Sequence, residues 1–300
     1  MGPETNVSLL SKIKSIKWDI AFGILAIHVV ALFAPFYFNW QAFRLFLILQ
    51  AVTALGVTLC FHRLLTHRSF MVPRWLEYIL TLCGTLALQG GPMKWVSTHR
   101  VHHAFSDRPN DPHSPNKGFW WAHMMWLFPW DEQIDNPSKY LRFVPDLNRD
   151  PVHRFIEKTS TLWSFVLGGV LYIWGGIPFV LWGMFARLVI VYHGTWLVNS
   201  ASHLWGYQSY DTNEGSRNNW WVALVSYGEG WHNNHHAYPH SAAHGLRWWE
   251  VDITYMLIRF LAMCKLATRI RLPQGGPARL PAIKPLVVPA IKLPFPSLSI

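Results

Sequence analysis

The sequence predicts an all-α integral membrane protein, with four transmembrane helices in two hairpins and a cytosolic helical cap holding a di-metal site. Of its 300 residues 51% are hydrophobic and only 14% charged, where soluble domains carry about a quarter charged. Apolar stretches that approach the length needed to cross a hydrocarbon core about 30 Å thick recur in pairs. Histidines gather just beyond the ends of those stretches.

The first span runs from about Trp18 to Phe38 and the second from about Gln41 to Phe61. The link from Pro35 to Trp40 allows only a tight hairpin and carries no Lys or Arg. Lys12, Lys14 and Lys17 before the pair, and Arg63 and Arg68 after it, favour the cytoplasm for both outer ends. No small-residue cleavage site stands out, so the first run reads as a signal anchor. The apolar stretch Trp75 to Leu88 is short for a span and is expected to lie in the interface or half-inserted. Turn formers follow from Ser106 to Pro112, then an aromatic run at headgroup depth: Trp120, Trp121, Trp126 and Trp130.

The second hairpin takes residues 160–174 and 178–200, joined at Gly175 and Gly176. Arg187 in its second arm is expected to snorkel to the far headgroups. His28 and His193, also inside spans, are expected to pack or to hydrogen-bond between helices. An even number of crossings before each cluster puts all the histidine clusters on the cytoplasmic side. The segment Trp248 to Leu266 is amphipathic. From Pro273 prolines recur every few residues, which excludes helix and interior strand. The chain thus divides into a membrane domain, 1–272, and an extended tail, 273–300.

A formal net charge of +10 comes from basic residues that flank apolar spans, which fits anionic lipid headgroups and not nucleic acid. Cys60, Cys83 and Cys264 are odd in number and show no CxxC spacing, which argues against a disulfide framework.

His232, His235 and His236 stand at i, i+3 and i+4, on one face of a helix. His99, His102 and His103 repeat that spacing. His62 and His67, five apart, share a face only if the last turn of the second span unwinds. Asn199 and His203, four apart, share a face at the end of the fourth span. Nine imidazoles exceed what one transition metal takes, so they imply two metals, and imidazole alone does not name the metal. Glu229, Asp107 and Asp111 are near enough in sequence to accept the other ring N–H of a bound histidine. His113, His123, His153, His240 and His244 stand singly in loops and read as solvated residues or as partners behind the ligands, not as ligands themselves.

The boxes His62 to His67, His99 to His103 and His232 to His236, with the element Asn199 to His203, resemble those of membrane fatty acyl desaturases. The flanks Gly228 to Trp231 and Arg247 to Asp252 are similar to the delta-9 branch of that family, especially cyanobacterial acyl-lipid enzymes and related plant enzymes. The likeness covers roughly Trp18 to Arg269 and leaves out the tail. It implies two iron ions held by the nine histidines, with Asn199 reaching one through water. It also implies O2 as co-substrate and a bent acyl tunnel with Gln89, Trp95, Thr195 and Trp196 at its bend.

A cis-9 double bond in a saturated chain on a lipid or thioester is the implied product. No acid–base step removes hydrogen from an unactivated CH2–CH2 pair, so a metal and O2 are needed. Burial of each methylene contributes about 0.8 kcal/mol, enough over a dozen to hold a chain with no polar handle. Arg100 and Lys117, next to the expected mouth, have two readings: contact with a phosphate or headgroup, or ordinary positive-inside charge. Electrons are expected from a separate ferredoxin or b-type cytochrome. Two other readings stand beside this one: a di-iron hydroxylase or alkane oxygenase, and a metal transporter with histidine-rich loops.

Overall fold

The computed structural model describes residues 15–273. Among them there are helices, turns and isolated bridges but no β-strand. The proline-rich tail lies, from residue 274, outside the described residues, as do Lys12 and Lys14.

Helix α1, Trp18–Ala31, is shorter than the expected first span. Pro35 ends regular winding, and a 3₁₀ turn over Ala34–Tyr37 leads to Asn39. The Asn39 side chain accepts from the Ala42 N–H at 2.7 Å and so starts the next helix. Helix α2, Trp40–Thr66, is long and apolar enough to cross a membrane, and so is α7, Ser160–Leu204. Between them lie α3, Arg74–Thr85, α4, Pro92–Phe105, α5, Phe119–His123, and α6, Pro151–Lys158. Three short helices follow α7: α8, Trp220–Val225, α9, His232–Ala237, and α10, Ile253–Met263.

Helix α7 is two arms. At Gly176 the backbone takes φ 64° and ψ −154°, a region open to glycine alone, and the chain turns there. The outer faces stay apolar, with Ile173 87% and Trp174 70% exposed beside the break. Apolar side chains standing clear of the core on long helices suit a lipid surround.

The second half of α2, Gly56–Thr66, is wound as a π-helix. Its i→i+5 hydrogen bonds are continued by the His67 N–H donating to the His62 carbonyl at 3.1 Å. Residues five apart therefore stack, and the His62 and His67 rings lie 4.8 Å apart. A wider turn does what unwinding was expected to do.

Arg187 does not snorkel. It is fully buried, donating to the Gly183 carbonyl at 2.7 Å, to Thr53 Oγ1 at 2.7 Å and to the Leu86 carbonyl at 3.0 Å. The Tyr192 hydroxyl donates to the Leu88 carbonyl at 3.1 Å. The loop between α3 and α4 thus hangs from the second arm of α7 by its own carbonyls, and Leu88 takes a positive φ of 52° there. Elsewhere His28 and His193 meet Nε2 to Nε2 at 3.2 Å, linking α1 to the same arm.

Helices α2 and α3 cross where Gly56 meets Gly84. A Cβ on Gly84 would stand 2.7 Å from the Gly56 carbonyl oxygen and 2.7 Å from the Phe61 ring. Neither helix can yield at a backbone contact. Gly84→Ala is expected to cost about 1–3 kcal/mol through overpacking, read as a lower unfolding midpoint of the detergent-solubilised protein.

Candidate metal centre

Two groups of imidazoles draw their members from the end of α2 and from α4, α7 and α9. His62, His67, His99, His103 and His235 bring one ligand atom each within 4.8 Å of one another, and so do His102, His203, His232 and His236. The triplets on α4 and α9 each divide between the groups. On α4 the i and i+4 residues, His99 and His103, serve the first group while His102 serves the second. On α9 the pair His232 and His236 serves the second while His235 serves the first.

In the first group the Nε2 atoms of His62 and His235 are 3.2 Å apart, those of His67 and His99 3.2 Å, and those of His103 and His235 3.0 Å. In the second, Nε2 of His232 lies 3.0 Å from that of His203 and 3.1 Å from that of His236. With a metal–nitrogen bond of about 2.1 Å, neighbouring corners of an octahedron stand about 3.0 Å apart. The spacing is that of ligands around a shared centre.

Carboxylates set which nitrogen faces inward. Nδ1 of His62 is 2.5 Å from Glu229 Oε2 and Nδ1 of His102 is 3.0 Å from Asp111 Oδ2. Nδ1 of His203 lies 3.1 and 3.4 Å from the two oxygens of Asp107. A ring that donates through Nδ1 turns its Nε2 lone pair to the opposite side. Burial, then neighbouring imidazoles, hold His99, His103, His232, His235 and His236 well below the usual histidine range. They are neutral at pH 7, the form that binds a metal. Lone pairs converging in a dry interior repel, and a cation in each group removes that repulsion, so the donor sets fit two metal ions.

Glu229 is itself held. Burial opposes its charge, but Arg63, His244 and His62 override this and keep its carboxyl well below the usual range. Arg63, fully buried, donates to Glu229 Oε1 at 2.8 and 3.1 Å, to Asp252 at 2.9 Å and to the Ala242 carbonyl at 2.7 Å. His244 is also buried, its Nδ1 3.1 Å from Glu229 Oε2. Glu214 sits 3.6 Å from Nδ1 of both His203 and His236. Nothing in local spacing singles out Arg63, whose partners lie 166 and 189 residues away, or Glu214 and His244, whose partners lie beyond the reach of a helical repeat. His113 packs its ring 4.4 Å from that of His102, whereas His123 pairs with His193 at 3.0 Å. His240 meets the His67 carbonyl through Nδ1 at 3.0 Å, and His153 is buried beside Asp150.

The far side of α9 is fixed by its asparagines. Asn233 Oδ1 accepts from the Ser209 and Tyr210 N–H groups at 2.7 and 2.8 Å. Asn234 donates to the His244 carbonyl at 2.9 Å and to Glu250 at 2.8 Å.

Two cavities reach the first group, at His62 and His99. The larger, about 380 Å³, runs from Lys17 and Asp135 to Trp196 and Asn199. The smaller, about 50 Å³, continues to Gln50 and Ala54, and both share Trp95, His99, Thr195 and Asn199 as lining. At that junction Trp95 Nε1 donates to Gln89 Oε1 at 3.1 Å, and Gln89 Nε2 donates to Thr195 Oγ1 at 3.0 Å. Trp196 stacks on Tyr192 at 5.1 Å. Arg100 is not free for a headgroup: it clamps Asp146 at 2.8 and 2.9 Å and also binds the Phe143 and Leu65 carbonyls. Lys117 lies over the Trp121 ring at 4.8 Å.

A profile of the family described as fatty acid desaturase matches residues 38–262. The chain is 51% identical to the sn-1 stearoyl-lipid 9-desaturase of Synechocystis over 85% of its own length and 80% of that protein. It is 52% identical to the enzyme of the same description from Anabaena variabilis, over 86% and 94% of the two chains. It is 47% identical to a palmitoyl-monogalactosyldiacylglycerol delta-7 desaturase from Arabidopsis thaliana, over 90% and 75%.

Glu229→Gln keeps the shape but removes the charge that His62 and Arg63 face. Metal retention after chelator treatment, measured by mass spectrometry of bound metals, is expected to fall about 10–100-fold.

Proposed function

Because the chain belongs to the fatty acid desaturase family, we propose that it removes two hydrogens from a saturated acyl chain on a membrane lipid, leaving a cis double bond at carbon 9. It is an oxidoreductase, and the relatives named as stearoyl-lipid 9-desaturases support both the position and the carrier. The observation that carries the reading is the pair of adjacent imidazole groups, the first of which stands at the junction of two cavities, with His99 and Asn199 lining both.

Iron is the metal we assign to both groups. Bound there with O2, it supplies the oxidising power that an unactivated CH2–CH2 pair demands. The electrons balance: O2 takes four in becoming two waters, two with the hydrogens of the chain and two, with two protons, from an external donor. A ferredoxin or b-type cytochrome fits that role, and Arg108, Lys139, Arg142 and Arg149, exposed between α4 and α6, suit an acidic partner.

The protein's own work is ligation, placement and exclusion of water. His62, His67, His99, His103 and His235 would hold one ion, and His102, His203, His232 and His236 the other. Asn199, one turn before His203 and lining both cavities, is placed to reach an ion through water. Glu229, Asp107 and Asp111 fix the ring orientations. Gln89, Trp95 and Thr195 bridge the two cavities by hydrogen bonds and, with Trp196, bend the chain where its hydrogens are lost. A bent, fixed chain presents one CH2–CH2 pair to the ions, which is what positional selectivity requires.

Four crossings, by α1, α2 and the two arms of α7, with both groups facing the cytoplasm, belong to the same proposal. The turn at Gly176 and the basic residues beyond the hairpins support it.

The delta-7 relative, matched over 90% of this chain, favours one second reading, in which the bond forms at carbon 7. Expression in a host lacking its own desaturase, with mass spectrometry of the products, separates the two. A bond at carbon 9 is expected; a bond at carbon 7 supports the second reading, and a hydroxylated or unchanged chain sinks both. In the same host His235→Ala is expected to insert normally and to lose bound iron and activity together.

A further inference from the structure

The larger cavity ends, away from the imidazoles, in three charged side chains that the reaction does not use. Lys17 Nζ donates to Asp135 Oδ2 at 2.7 Å and Lys94 Nζ donates to Asp135 Oδ1 at 2.6 Å. All three line the cavity, and the Asp135 side chain is 1% exposed while that of Lys94 is 33% exposed.

The arrangement is built from both sides. The Lys17 N–H donates to the Phe128 carbonyl at 2.7 Å and the Trp130 N–H to the Ser15 carbonyl at 2.7 Å, tying the start of α1 to residues 128–130. Asp135 also accepts from the Asp131 N–H at 2.9 Å. Lys94 stands on α4 beside Trp95 at the bend and five residues before His99, about 7.5 Å along the helix axis. One rigid helix therefore carries the cavity mouth, its bend and the imidazoles.

Charge decides what such a mouth accepts. Two ammonium groups alone would draw a phosphate. Here a single buried carboxylate takes one hydrogen bond from each, and Asp19 stands on the same rim. The four charges sum to zero. An ammonium has three N–H donors, so each lysine keeps donors for uncharged acceptor oxygens. An anionic group, singly or multiply charged, gains no net attraction there and meets the carboxylate as a like charge.

Taking the acyl-lipid reading above as its premise, we propose that Lys17, Lys94 and Asp135 form the headgroup site of the substrate. It selects glycerolipids with an uncharged, hydroxyl-rich headgroup over anionic lipids and thioesters of coenzyme A. Asp135 is the specificity-determining residue and the two lysines are the donors.

The test is binding, not turnover. The full-length protein in detergent is mixed with equal amounts of distearoyl monogalactosyldiacylglycerol, distearoyl phosphatidylglycerol and stearoyl-coenzyme A, and the retained ligand is weighed by native mass spectrometry. Wild type is expected to favour the galactolipid by about tenfold, the worth of one charge-assisted hydrogen bond. Asp135→Asn should shift the preference to phosphatidylglycerol, and Lys94→Met should lower galactolipid retention by a similar factor. Equal retention of all three by wild type, or best retention of stearoyl-coenzyme A, overturns the proposal. So does an unaltered ratio in Asp135→Asn. Should that variant fail to fold, Lys94→Met on its half-exposed position decides: unchanged galactolipid retention overturns the site. If the preference holds but iron-loaded wild type, given O2 and a reduced electron donor, makes no double bond from any of the three, the desaturase reading fails and the headgroup site stands.

Discussion

One buried carboxylate holds the centre together. Glu229 faces Nδ1 of His62 at 2.5 Å and of His244 at 3.1 Å through one oxygen, and receives Arg63 through the other. Arg63 passes the connection to Asp252, whose other oxygen caps α10 by accepting from the Tyr255 N–H at 2.9 Å. The end of α2, the approach to α9 and the start of α10 are thus one network of fixed charges. Burying such charges is costly, and their mutual attraction roughly offsets it. What the network adds is direction: it points His62 inward and leaves no alternative partner for its Nδ1.

The same economy governs the helices. An i, i+3, i+4 triplet lies on one face, but its members are not equivalent. The i and i+4 rings sit one above the other, while the i+3 ring leans to the side. Two such helices, α4 and α9, placed face to face therefore offer two rows of ligands and not one. The π-winding at the end of α2 solves the remaining problem, since His62 and His67 would diverge on an α-helix.

The long apolar stretches and the histidine spacings were legible because each is local: hydropathy over twenty residues, or three rings on one helix. The division of the triplets between two groups was not, because it depends on how α4 and α9 are rotated against each other. By position Arg63 is a topological charge, and its partners Glu229 and Asp252 are 166 and 189 residues away. Arg187 likewise has partners at Thr53 and Leu86, 134 and 101 residues away. Hydropathy takes a charge in a span as something to be led out to water, whereas here Gly183, Thr53 and Leu86 surround it with acceptors. His244 looked solitary because the contact that buries it beside Glu229 comes from a loop with no periodicity. Lys94 and Asp135 carry no local signal, being 41 residues apart in stretches without a motif.

The sharing of α4 and α9 between the two imidazole groups carries one further consequence. A shift of either helix moves imidazoles of both groups at once, so neither group can be adjusted while the other stays still. Mechanically the centre is a single part, as two holes drilled through one plate are. Changes that tune its chemistry must then come from the surrounding carboxylates and cavity walls, where a side chain can be exchanged without moving a helix.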